Sequence, residues 1–128
     1  MRYNRHMDIR IKASDYEITP ETATYLDEKL ASIEKLLASD AELARCEVEL
    51  GRAAGGQRHG DNLYFAEINL VYPGGNTIHA TNNAENVNTA IDDVKEEVVR
   101  QLRKQKQLHI RFARKGGAML KNLMRWGE

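Results

Sequence analysis

The residues able to act as metal ligands or nucleophiles are few and scattered. Four histidines, His6, His59, His79 and His109, and a single cysteine, Cys46, are the soft-ligand candidates. Zinc sites pair their ligands two to five residues apart, as in CxxC or HExxH, and these five share no such spacing. Cys46 alternates inward along a predicted strand, which suits an inert core thiol better than a nucleophile. His79 falls on the outward face of a predicted strand, where a cross-strand contact is its expected role. The glycine pairs at 55–56, 74–75 and 116–117 fit neither the Walker pattern nor GxGxxG, so no phosphate-cradling loop is expected. Asp92, Asp93, Glu96 and Glu97 look like an acid cluster. They occupy the first half of a predicted helix, however, where the positive end of the macrodipole favours anions. The expectation is a protein without catalytic residues, metal, cofactor or small-molecule substrate.

What the composition does support is electrostatic. The formal net charge is zero, but residues 1–99 carry ten Lys and Arg against eighteen Asp and Glu, while residues 100–128 carry nine against Glu128 alone. Segregation of this kind points to a polyanionic partner. Cations at a helix C-terminus complement its dipole, but only within the last turn and by a few tenths of a kcal/mol each. That accounts for two or three of the nine. A solvated face normally mixes signs, and no acid lies between Glu97 and Glu128. Nucleic acid is therefore the leading partner on charge, with an anionic membrane surface or an acidic protein as alternatives. Point charges on a helix suit phosphate contacts, which position a protein without reading sequence. Aromatic residues are only 6% of the chain, so a folded RNA surface fits better than a single strand read by stacking.

At 128 residues and 14.6 kDa the chain has the size of one domain. Hydrophobic residues at 41% and charged ones at 30% exclude a disordered chain. No apolar run approaches the ~18 residues of a membrane span. The basic start, Met1 to Met7, has no apolar stretch behind it, so no secretory signal is expected. The lone cysteine is in keeping with a reducing cytoplasm.

The elements that would position the basic segment follow from periodicity. Ile9, Ile11 and Ala13 alternate with charged residues, predicting a first strand over Asp8 to Ala13 with those three facing a core. Thr19-Pro20-Glu21-Thr22 opens a helix, with Thr19 as cap and Pro20 at the first helical position. Leu26, Leu30, Ile33 and Leu37 give it one apolar stripe, and the stretch Ser39 to Leu43 ends it. Strands follow at Arg45 to Leu50, Leu63 to Tyr72 and, briefly, Thr77 to Thr81. A glycine-rich hairpin loop over Gly51 to Asn62 and a Pro73-Gly74-Gly75-Asn76 turn connect them. The last helix begins at Asn86 and has no proline or glycine before Gly116. Its stripe is Val87, Ile91, Val94, Val98 and Leu102, and at ~1.5 Å per residue it would be nearly 40 Å long, so its last turns should protrude. The order β-α-β-β-β-α predicts a two-layer α+β fold with two helices on one face of a four-stranded sheet.

This order, together with particular residues, resembles the ribosome hibernation-promoting factors, a family that includes ribosome-associated inhibitor A (protein Y). The stretches that carry the resemblance are Glu17-Ile18-Thr19-Pro20, Lys29-Leu30, Ile33-Glu34-Lys35, Gly74-Gly75, Ile78-His79-Ala80, Ala90-Ile91-Asp92 and Arg100 to Lys106. They extend over about residues 7 to 107, and their order and spacing are more specific than any one of them. The resemblance implies a fold like that of double-stranded-RNA-binding domains and a stationary-phase or stress factor in the cytoplasm. Its partner would be the small ribosomal subunit and its rRNA, in the channel where mRNA and tRNAs meet. There it would inhibit translation by steric exclusion. By position, the family's basic residues fall on Arg100, Arg103, Lys104 and Lys106, with Lys29 on the first helix. Arg111, Arg114 and Lys115 extend the basic run, completing the expected rRNA-binding set.

Departures from the pattern limit the expectation. Asn86-Val87-Asn88 stands where relatives commonly have Asp-Met-Tyr. Ala23 and Ser32 stand where basic residues would strengthen an RNA grip. The expected layout is an N-terminal extension over 1–7, a ribosome-binding domain over 8–115 and a short tail over 116–128, as in a short form without a second domain. Met119, Leu120, Leu123 and Met124 could make the tail a small amphipathic helix, folded back on the domain or docked on ribosomal protein or a second copy. The alternative function is a protein-docking adaptor that uses the basic helix and this tail.

Overall fold

In a computed structural model, residues 6–53 and 63–114 are described, with side chains described through Leu108. The elements are β1 (Asp8–Ser14), α1 (Pro20–Leu37), a 3-10 segment (Ala38–Leu43), β2 (Arg45–Arg52), β3 (Tyr64–Tyr72), β4 (Asn76–Ala84) and α2 (Val87–Arg114). The sheet order is β1-β2-β3-β4. β1 runs parallel to β2, and the other neighbours are antiparallel. A parallel pair needs a crossover between its strands, and α1 supplies it. The fold is the two-layer α+β arrangement expected from the sequence.

Local chemistry sets the helix starts. The Thr22 N–H donates to Thr19 Oγ1 at 3.1 Å, and the Thr89 N–H donates to Asn86 Oδ1 at 2.8 Å, so both predicted caps form. Leu26, Leu30, Ile33 and Leu37 of α1 are buried with Val87, Ile91, Val94, Val98 and Leu102 of α2 in a single core. Beneath them lie Cys46, Val48 and Leu50 of β2, Ala66, Ile68, Leu70 and Tyr72 of β3, and Ile78 and Ala80 of β4. Each large aliphatic side chain sealed in this way contributes about 1.5–3 kcal/mol. Tyr72 pairs with Asn76 across the turn, where Gly74 and Gly75 have φ of 97° and 73°. That left-handed backbone strains residues with a Cβ, so the turn depends on its glycines.

The structure corrects three expectations about the strands. β4 is nine residues long and reaches Ala84, because β3 offers pairing partners out to Tyr64; the ladder overrides the poor strand propensity of Asn82 and Asn83. β2 continues through Gly51 and Arg52, which pair with Phe65 and Tyr64, so those two residues are strand and not loop. Ile9, Ile11 and Ala13 do lie in register with Cys46, Val48 and Leu50, but only Ile9 packs against the core. Ile11 is 42% exposed and Ala13 is also exposed, because β1 is an edge strand beyond the main helical cover. Met7, placed by the sequence in an extension, is buried in the core, and its N–H donates to Glu34 Oε2 at 3.0 Å. The remainder of the expected loop, 54–62, and the amphipathic tail, 116–128, lie outside the described residues.

Candidate nucleic-acid interface

α2 begins as a core helix and ends as a charged rod. Its stripe is buried as far as Leu102, while Arg103, Lys104, Lys106, Gln107 and Leu108 are exposed, Leu108 by 53%. With 28 residues the helix spans about 40 Å at ~1.5 Å per residue. Lys95, Val99, Arg100, Arg103, Lys104 and Gln107, with Glu96, line one shallow strip along its outer side. Arg100, Arg103 and Lys104, all expected from the sequence, therefore share a face. Among the described residues, neither Arg103 nor Lys104 forms an ion pair.

The other expected cations are placed differently. Arg100 is 71% exposed but pairs with Glu97 one turn earlier. The Gln101 amide and the Arg100 guanidinium hold the Glu97 carboxyl below its ordinary range. Lys29, expected as the contact on α1, has its Nζ 3.3 Å from Asp92 Oδ1 on α2 and is 30% exposed. The Tyr25 hydroxyl donates to the same carboxylate oxygen at 2.7 Å, and Lys29 lies 5.0 Å from the Tyr25 ring centroid. Burial pushes the Asp92 carboxyl up, but the hydrogen bonds from Tyr25 and Lys29 outweigh it and leave the group below its ordinary range. The hydrogen bond to Asp92 raises Lys29 in turn. Lys106 donates to the Leu36 carbonyl at the end of α1, at 2.6 Å. Arg111 and Arg114 fall within α2, but their side chains, and the whole of Lys115, lie outside the described residues.

Sequence reasoning had not singled out Tyr25 or Lys95, and had read Asp92 only as one of several acids in the first half of its helix. Tyr25 and Asp92 form the seam that engages Lys29, and no local pattern brings residues on two different helices together. Lys95 lies on the strip with Arg103, eight residues earlier, and that helical spacing was the available signal.

Of the described residues considered for chemistry, Cys46 and His79 lie where the strand pattern places them. The Cys46 thiol is pushed up to about 12 by burial and by the nearby Glu34 and Glu47, so at neutral pH it is a protonated core group. His79 contacts Asn69, its cross-strand partner, and approaches Glu67 Oε2 at 3.6 Å. Asp92 and Glu97 are each engaged with neighbours on the helices. No group of three or more metal-ligating side chains occurs among the described residues, and none of their helices is long and apolar enough to cross a membrane.

No curated protein sequence matches the chain. The crystal structure of the Thermus thermophilus Protein Y N-terminal domain superposes with a TM-score of 0.62 at 22% identity, covering 77% of this chain and 98% of that one. A ribosomal subunit interface protein from Coxiella burnetii gives 0.61 at 16% identity, covering 79% of this chain and 99% of that one. At such identities the likeness establishes a shared fold. The family described as Sigma 54 modulation protein / S30EA ribosomal protein matches residues 9–109, nearly the whole of the described region. This chain belongs to the Sigma 54 modulation protein / S30EA ribosomal protein family.

Proposed function

We propose that the chain is a ribosome-associated translation inhibitor of the hibernation type. It binds small-subunit rRNA in the tRNA and mRNA channel and blocks it sterically, in the cytoplasm of stressed or stationary-phase cells. The domain over 8–115 does the binding, and no bond is made or broken. Arg100, Arg103 and Lys104 supply the phosphate contacts of the described region, with Arg111, Arg114 and Lys115 continuing them. Lys29 contributes only where a phosphate displaces Asp92. The observation that carries this reading is the run of nine cations from Arg100 on with no acid before Glu128, six of them on a helix whose described core contacts end at Leu102. Membership in a family described by a ribosomal protein, and the likeness to a ribosomal subunit interface protein, support the choice of rRNA over other polyanions.

The test is co-sedimentation with ribosomes over a salt series, alongside a translation assay. Reversing Arg100, Arg103 and Lys104 to Glu should abolish pelleting and relieve inhibition while leaving the unfolding curve close to wild type, since all three are exposed. Wild-type binding should fall steeply with salt, because binding releases phosphate counterions and that release is less favourable at high salt. Undiminished pelleting of the triple variant would mean that the site is wrong. Salt-insensitive binding would favour the docking adaptor instead.

A further inference from the structure

Lys106 is the exception among the cations of α2. Its Nζ does not join the outer strip but donates to the Leu36 carbonyl at 2.6 Å. That carbonyl belongs to the last turn of α1, where carbonyls run out of backbone donors beyond the Glu34 carbonyl capped by the Ala38 N–H, and where the negative end of the dipole favours a cation. One residue earlier, Gln105 Oε1 accepts from the hydroxyl of Tyr72, the final residue of β3. Both contacts fall just past Leu102, the last buried side chain described on α2. They tie the helix to α1 and to the sheet at the level where apolar packing ends.

We propose that Lys106 is a positioning residue and not a phosphate contact. With Gln105 and Tyr72 it braces the emerging end of α2, so that Arg103 and Lys104 meet phosphates at a fixed spacing. The inference rests on the rRNA-binding reading above and removes Lys106 from the rRNA-binding set expected from the sequence. Its physical basis is preorganisation: a helix end freed from its core frays, and ordering it on binding subtracts from affinity. A lysine is well suited to cap a helix C-terminus in this way.

The salt dependence of binding separates the two roles, because the slope of log affinity against log salt counts phosphate contacts, at roughly 0.7–0.9 per contact. The probes are small ribosomal subunits and four variants of the full chain: Lys106→Met, Lys106→Arg, Tyr72→Phe and Arg103→Gln. Lys106→Met and Tyr72→Phe should each weaken binding about fivefold, as losing one hydrogen bond does, with the slope unchanged. Lys106→Arg should restore affinity, since it keeps a donor and the charge. Arg103→Gln should lower the slope by nearly one contact. Without RNA, amide exchange over residues 103–108 should be faster in Lys106→Met and Tyr72→Phe than in wild type. A slope lowered in Lys106→Met as much as in Arg103→Gln, with Tyr72→Phe silent, would overturn the brace. An unchanged slope in Arg103→Gln would instead defeat the rRNA reading and with it the positioning role, and faster exchange would then report a structural tie alone.

Discussion

Up to Leu102, α2 is held by shape: Val87, Ala90, Ile91, Val94, Val98 and Leu102 are all buried, and Asp92 and Glu97 are engaged with their neighbours. Past Leu102 no described side chain is buried, and the residues are cationic or amide apart from Leu108. One continuous helix thus has an end that answers to packing and an end that answers to charge. The first half makes the rod rigid with respect to the sheet. The second carries Arg103 and Lys104 exposed on that rod. Mutations in the two halves should therefore move different observables.

The largest effect is expected in the packed half. Ile91→Ala should cost about 2–5 kcal/mol in denaturant unfolding, because Ile91 is fully enclosed and a cavity would remain. Lys104→Glu, in the charged half, should stay within about 0.5 kcal/mol of wild type. Equal costs at the two positions would break the comparison. Next comes the cap that starts the packed half: Asn86→Ala should lose about 1 kcal/mol through the Thr89 amide it leaves unpaired.

A smaller effect concerns the seam with α1. Asp92 is held below its ordinary range, so its contribution is present above the unfolded value near ~3.9 and is lost as pH falls through the lower native value. Asp92→Asn should flatten the stability profile below pH about 4 in acid titrations followed by circular dichroism. Because the pair is partly exposed, the difference should not exceed the ~0–1 kcal/mol of surface ion pairs. The smallest effect sharpens the boundary between the halves. Glu97→Gln releases Arg100 from its partner, so ribosome affinity should rise a few-fold at low salt with little change in stability, measured by the same pelleting assay.

Most of the fold was legible because its signals are local. Thr19 and Asn86 cap the helices they precede, and the two apolar stripes are buried residue for residue. The strand ends were less legible. The length of β4 depends on how far β3 reaches, and the exposure of Ile11 depends on what covers the sheet edge; neither is written in the alternation of the strand itself. The basic character of the α2 end was equally plain from composition. What composition could not reveal was how the cations divide. Lys29 and Arg103 carry the same charge, but the packing of α1 against α2 places Asp92 beside the former and leaves the latter facing outward. Lys106 likewise meets a carbonyl of another helix, 70 residues away along the chain.

The proposal that the outer face of α2 meets rRNA is most directly tested by site-specific photo-crosslinking. A photoreactive residue at position 104 is compared with one at position 47, on the helix-free face of the sheet, each irradiated on ribosomes and the adducts mapped. The account predicts that position 104 crosslinks to small-subunit rRNA lining the tRNA path and that position 47 does not. Adducts from position 104 confined to protein, or equal rRNA labelling from both positions, would contradict it.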